Sequence, residues 1–221
     1  MATQMNQLFR TSILKNKTQS ETPLKTPKRT SRFQVISATS STISARQLIE
    51  SGTVKSILPK DASTAMNSEG FVLLDVRPTW EREKARVTGS LHVPIFVEDK
   101  DNGPITLLKK WVHFGYIGLW TGQYLTTVNS EFLGQVENAI PSKDTKLLVA
   151  CGEGLRSMTA ASKLYNGGFK NLGWLAGGFN RSKDNDFQAV EGKEKLQYAT
   201  VGGVSYYFLQ LLILLQAVGK G

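Results

Sequence analysis

The 221-residue chain has a single cysteine, Cys151, and the residues that follow it are Gly152-Glu153-Gly154-Leu155-Arg156-Ser157. A thiol, two glycines and an arginine within six residues can form an anion cradle with a nucleophile at its base. The glycines let the backbone curl so that its amides point inward, and the forked guanidinium adds a fixed cation for an oxyanion. The loop precedes a helical pattern from Ser157 to Tyr165, whose free N–H groups and positive dipole end stabilise a thiolate or a bound anion. Glu153 acts in the opposite sense, because a carboxylate beside the thiol opposes thiolate formation and repels a dianion such as thiosulfate. One cysteine excludes an intrachain disulfide, and one thiol with two histidines gives no structural zinc pattern, so neither metal nor cofactor is expected. His113 is isolated and His92 lies on an apolar strand, and neither reads as a ligand or a base.

The elements that must hold this loop alternate between strand and helix. Ser44 caps a short helix through Leu48 and Ile49 that stops at Gly52, Val54 to Leu58 reads as a strand, and Pro59 opens a helix to about Asn67. Phe71-Val-Leu-Leu-Asp75 and Lys146-Leu-Leu-Val-Ala-Cys151 are continuous apolar runs, as expected of strands buried on both faces. The helix after the loop ends at Gly167 and Gly168, and Asn171 to Leu175 is a last short strand. This alternation predicts an α/β fold, a parallel sheet with helices on both faces. The loop then sits at a strand's carboxyl end, where α/β crevices open.

Between Pro94 and Asn129 lies a longer stretch with Trp111, Phe114, Tyr116, Trp120 and Tyr124. Spacings of three and four predict a shared helical face packed into the core. The absence of charge from Trp111 to Ser130 leaves an interfacial segment or a lid over Cys151 as the alternative. Asn129 to Ala139 reads as an ordinary helix with Phe132, Leu133 and Val136 inward.

The two ends have compositions of their own. The formal net charge is +9, but residues 1–45 hold seven Lys or Arg against one acid, Glu21, which leaves +3 for the rest. A basic nucleic-acid groove is therefore not indicated. With fifteen Ser or Thr in those 45 residues and no long apolar run, residues 1–38 read as a disordered, cleavable plastid transit peptide with processing near Val35-Ile-Ser-Ala38. Residues 39–53 are then a linker and short helix. At the other end, Leu196 to Gly219 is free of charge, and residues 201–218 read as a transmembrane helix with Tyr206, Tyr207 and Lys220 as interfacial anchors, the alternative being a buried terminal helix. On that reading the protein is bound to a thylakoid or envelope membrane, and its tail contributes nothing to the chemistry.

The cysteine loop resembles the active-site loop of the rhodanese family, a six-residue turn that begins with the catalytic cysteine at a strand's end. Phe71-Val-Leu-Leu-Asp75-Val-Arg77 resembles the family's strand ending in Asp-Val-Arg, and Val87-Thr-Gly-Ser-Leu-His-Val-Pro94 its following turn and strand. Leu175-Ala-Gly-Gly-Phe179 is similar to its Gly-Gly signature. Four landmarks in order place a rhodanese-like domain over residues 54–185, with an aromatic insertion near 98–128.

The resemblance implies a sulfurtransferase or sulfur carrier of the thiosulfate or 3-mercaptopyruvate type. Cys151 would take up a sulfane sulfur as a persulfide and pass it from a small donor to a thiol or other nucleophilic acceptor. Gly152, Glu153, Gly154 and Leu155 would supply the loop, and Arg156 would hold both loop and substrate anion. Asp75 would fix the architecture by pairing with a cation or amide. Arg77 would be that partner or a substrate contact, if it is not an ordinary surface arginine. Arg86 stands where many family members carry a histidine. The related dual-specificity phosphatases have a loop one residue longer. A non-catalytic, membrane-bound interaction module is the alternative, although such modules often lack the cysteine.

Overall fold

The computed structural model describes residues 44–219. The leader expected over residues 1–38 and the anchor Lys220 lie outside them. In chain order the elements are α1 (Ala45–Glu50), β1 (Val54–Ile57), α2 (Pro59–Asn67), β2 (Val72–Asp75), α3 (Thr79–Lys84), β3 (Ala85–Val87), β4 (Leu91–His92) and β5 (Phe96–Glu98). Next come α4 (Pro104–His113), a π-helical turn (Phe114–Gly118), α5 (Leu119–Thr121), β6 (Thr126–Val128), α6 (Phe132–Ala139), β7 (Leu147–Ala150), α7 (Leu155–Asn166), β8 (Leu172–Leu175), β9 (Val190–Gly192) and α8 (Gly203–Val218).

Local sequence explains most of these boundaries. The Ser44 side chain accepts from Gln47 N–H while the Gln47 side chain accepts from Ser44 N–H, a reciprocal capping box that starts α1. Pro59 occupies the first turn of α2, where its missing N–H costs nothing.

Five strands form one parallel sheet in the order β1-β8-β7-β2-β4. Alternate side chains of its central strands feed two cores. Leu74, Leu147 and Val149 pack with Leu48 of α1, Phe132 and Val136 of α6, and Ala160, Ala161 and Leu164 of α7. Leu73, Leu148 and Ala150 pack on the other face with Ala62 and Ala65 of α2 and with Phe179, Phe187, Leu196 and Ala199. The helices expected on both faces are there.

Two expectations fail, for related reasons. Trp111, Phe114, Tyr116, Trp120 and Tyr124 are not core residues: each is at least half exposed, Tyr116 at 82%. Both sheet faces are already covered, so the α4–α5 segment has no apolar surface left to bury against. The transmembrane helix expected over 201–218 is also not found. No helix among the described residues is long and apolar enough to cross a membrane. The 16 residues of α8 reach about 24 Å at 1.5 Å per residue, short of a bilayer core of roughly 30 Å. Nor is α8 a buried terminal helix, since Tyr207, Phe208, Leu211, Leu212, Leu214, Leu215 and Val218 are all exposed.

The start of the apolar run is used elsewhere. Gly202 and Gly203 lie against Gly122, so close that a Cβ on Gly122 would come within 2.7 Å of the Gly203 nitrogen. Lys84 Nζ donates to Val201 O at 2.6 Å. Backbone approach at this distance needs glycine on both sides and fixes where α8 can begin.

Beneath the sheet's carboxyl end, Asp75 and Arg77 form a fully buried pair. Arg77 Nη2 donates to Asp75 Oδ2 at 2.7 Å and to Ala85 O at 2.8 Å, and Arg77 Nε donates to Asp75 Oδ1 at 3.0 Å. Its guanidinium lies 4.4 Å from the Phe179 ring centroid. Removing one partner leaves an uncompensated buried charge, so Asp75→Ala is expected to lose about 3–5 kcal/mol of stability. Urea unfolding checks this, and the double variant Asp75→Leu/Arg77→Met should recover most of the loss because it leaves no charge behind.

Candidate active site

Cys151 directly follows β7, and the loop to Arg156 turns at once into α7. The sulfur is buried, with its surroundings arranged as donors. Gly154 N–H reaches Cys151 Sγ at 3.1 Å and Ser157 N–H reaches it at 3.3 Å. The thiol donates to Ser157 Oγ at 3.4 Å, and that hydroxyl donates to Gly154 O at 2.9 Å. Trp174 Nε1 also donates to Gly154 O, at 2.9 Å. Two amides at the start of α7 thus face one sulfur, the arrangement that stabilises negative charge there.

The first two carbonyls of the loop are satisfied by the Gly-Gly turn. Phe179 N–H donates to Cys151 O and Asn180 N–H to Gly152 O, each at 2.8 Å. Gly178 sits at φ +66°, and a Cβ there would collide with the Cys151 and Gly152 carbonyl oxygens. Both its conformation and its clearance therefore require glycine.

A cavity of about 510 Å³ lies over the sulfur. Of the loop, Cys151, Glu153, Leu155 and Arg156 line it, while Gly152, Gly154, Asp75 and Arg77 are not among its lining residues. Arg77 is wholly buried, so it is not a surface arginine. Its partner is Asp75, and together they support the loop through Phe179.

Arg156 is also placed differently from expectation. Its Nη1 and Nη2 donate to both oxygens of Glu81, at 2.8 and 2.7 Å, and Glu81 is almost wholly buried. Burial works against the guanidinium's charge, but the Glu81 pair and the neighbouring Cys151 sulfur outweigh it and raise Arg156 above the ordinary arginine value. A forked cation already bound at both prongs is a strut between α3 and α7 before it is an anion receptor. Glu81 had no sequence signal. In Trp80-Glu81-Arg82-Glu83 it looks like one charge of a solvated helix.

The tail also contributes. Thr200, Val201, Gly202 and Ser205 line the cavity, together with Thr121 and Gln123 from the insertion. Gln123 Nε2 donates to Thr200 O at 3.1 Å, and Thr200 Oγ1 donates to Asn180 Oδ1 at 3.0 Å. A Cβ on Gly152 would strike the Thr200 methyl. The expectation that the cradle needs no tail residue is therefore overturned: the wall facing the loop is built from the segment that precedes α8.

A parallel sheet with a cysteine-based anion cradle at a strand's carboxyl end, closed by a glycine pair, defines the class. The family model for the rhodanese-like domain matches residues 58–185. The chain belongs to the rhodanese-like domain family, which includes sulfurtransferases. It is 60% identical over 189 residues to rhodanese-like domain-containing protein 10 of Arabidopsis thaliana, covering 86% of each chain. It is 42% identical over 160 residues to rhodanese-like domain-containing protein 11, chloroplastic, of the same plant, covering 72% of this chain and 54% of that one. Rhodanese-like domain-containing protein 9, chloroplastic, also from Arabidopsis thaliana, is 35% identical over 168 residues, covering 76% of this chain and 71% of that one.

Gly178→Ala is expected to displace the loop, since the added methyl meets two carbonyl oxygens in a conformation that alanine disfavours. The predicted cost is on the order of 3 kcal/mol. Alkylation of Cys151 by iodoacetamide should accelerate in the same variant as the sulfur becomes exposed, and thermal unfolding and alkylation rate together check this.

Proposed function

We propose that the chain is a plastid sulfurtransferase or sulfur carrier in which Cys151 holds the transferred sulfur. The observation that carries this reading is the convergence of the Gly154 and Ser157 amides on one buried sulfur beneath a cavity. The Cys151 thiolate attacks the outer sulfur of a donor. A new S–S bond forms, the bond from donor to sulfur breaks, and the remainder of the donor leaves with that electron pair. An acceptor thiolate then attacks the outer sulfur of the Cys151 persulfide, forms its own persulfide and returns the Cys151 thiolate. No external oxidant enters: thiosulfate already carries a sulfane sulfur and releases sulfite, whereas the thiol sulfur of 3-mercaptopyruvate is oxidised to the sulfane level as the C–S bonding pair leaves on carbon, which departs as the enolate of pyruvate. The two amides and the dipole of α7 stabilise the charge on sulfur in both steps.

The cavity's charges favour a donor of low charge. Glu81 and Glu153 oppose the single cation Arg156 among the lining residues, and Arg156 is already neutralised by Glu81. Glu153 is left as an exposed, unmatched carboxylate at the loop. A dianion such as thiosulfate meets net repulsion there, whereas a singly charged donor such as 3-mercaptopyruvate meets less. The same lining does not suit a phosphate monoester, which supports sulfur rather than phosphoryl chemistry. The cysteine and its donors support transfer over a purely adaptor role. The plastid location rests on the Ser- and Thr-rich basic leader and on the chloroplastic relatives.

Intact mass spectrometry after exposure to 3-mercaptopyruvate should show a gain of one sulfur atom. Cys151→Ser, nearly isosteric, should fold normally and show none; retained transfer in that variant sinks the mechanism. Glu153→Gln should shift the donor ratio toward thiosulfate by roughly three- to tenfold, through removal of one like charge. Competition kinetics with the two donors measures that ratio, and an unchanged ratio places the Glu153 charge outside the donor's path.

A further inference from the structure

The exposed apolar side chains of this domain are unevenly distributed. Of the 22 large hydrophobic residues exposed among the described residues, 17 lie on α8 or on the continuous segment α4–π-turn–α5. The two are neighbours: Gly122, just after α5, packs against Gly202 and Gly203, and a groove lined by Phe114, Leu119, Tyr206 and Tyr207, with Lys84 and Glu194 of the domain also in its lining, runs between them. At roughly 100 Å² each, about half of a large side chain, they present about 1,700 Å² of apolar surface. The largest patch on a typical monomer is about 300–600 Å², and a standard protein interface uses about 800 Å² per partner.

Three features decide what covers this surface. First, α8 carries apolar side chains on both sides: Tyr207, Phe208, Leu211, Leu212, Leu214 and Leu215 share one broad exposed face, and Leu209 and Ile213 on the opposite side are only partly buried. A protein partner covers one face of a helix, while a hydrocarbon medium covers all of them. Second, α8 is graded along its length, with Tyr206 and Tyr207 next to the domain and an aliphatic run from Leu211 to Leu215 beyond. Aromatic side chains at headgroup depth with aliphatic ones deeper match the layering of a bilayer. Third, the charged side chains of these helices are Lys109 and Lys110 on α4, with no carboxylate on either segment. That charge complements an anionic lipid surface.

We propose that α4, α5 and α8 form one docking surface for an anionic bilayer, with α8 entering one leaflet without crossing. Trp111, Tyr116 and Trp120 lie at the interface beside it. Ser205, one residue before Tyr206, lines the cavity over Cys151, so the cavity lies at the water-side root of the inserted helix. The docking stands whether or not Cys151 transfers sulfur.

Flotation of the full chain with vesicles of phosphatidylcholine and phosphatidylglycerol tests it. The protein should float, remain bound in high salt because apolar burial is not screened, and bind more weakly to pure phosphatidylcholine. Acyl-brominated lipid should quench its tryptophan fluorescence, and Trp111→Phe/Trp120→Phe should remove most of that quenching, leaving only Trp80 and Trp174. Leu211→Glu/Leu214→Glu should weaken flotation by roughly tenfold or more while the alkylation rate of Cys151 stays unchanged, which shows an intact domain. A folded full chain that floats with neither vesicle overturns the proposal. So does sedimentation as a dimer that the double glutamate variant converts to monomer, since the occupant is then a second copy.

Discussion

The site depends on where the carbonyl groups of Cys151 and Gly152 go. Cys151 and Gly152 are both buried, and buried carbonyls need donors. Phe179 and Asn180 provide them at 2.8 Å, which is possible only because residue 178 has no Cβ. Phe179 in turn stacks on Arg77, and Arg77 is neutralised by Asp75 at the end of β2. A continuous line of contacts therefore runs from the sheet through a buried ion pair and an aromatic ring to the backbone of the cysteine loop. Three of the four sequence landmarks, the Asp-Val-Arg strand, the cysteine loop and the Gly-Gly turn, are the ends and middle of that line.

The opposite side of the loop is held by charge. Glu81 engages both prongs of Arg156, so the helix that carries the arginine is tied to the helix that follows Asp75 and Arg77. This fixes α7 and hence the two amides that face the sulfur. It also offsets much of the arginine's charge toward the cavity, which leaves Glu153 as the unpaired charge in the lining. The same five-donor fork serves either as a receptor or as a strut. The presence of a carboxylate within reach decides between them.

The insertion and the tail answer a different constraint. A five-stranded sheet has two faces, and α1, α6 and α7 cover one while α2 and the segment around Phe179, Phe187 and Leu196 cover the other. Apolar helices beyond these have nothing left to pack on and end up outside, where they meet each other through glycines and complete the cavity wall with Thr200 to Ser205. Apolar sequence thus leads to burial only while uncovered sheet remains.

The sequence by itself determined whatever is local. Buried strands follow from continuous apolar runs, helix starts from Ser44 and Pro59, and the loop's chemistry from a cysteine at a strand's end with glycines and an arginine behind it. These signals lie within a few residues of what they specify. Only the tertiary structure decided that Arg156 belongs to Glu81, that Arg77 is fully buried, that the tail walls the cavity and that the aromatic stretch is exposed. Each of these is a pairing across the fold, 75 residues apart for Glu81 and Arg156. Residue type says that a charge needs a partner or an apolar side chain a cover. Which partner and which cover depend on what the rest of the chain has already occupied.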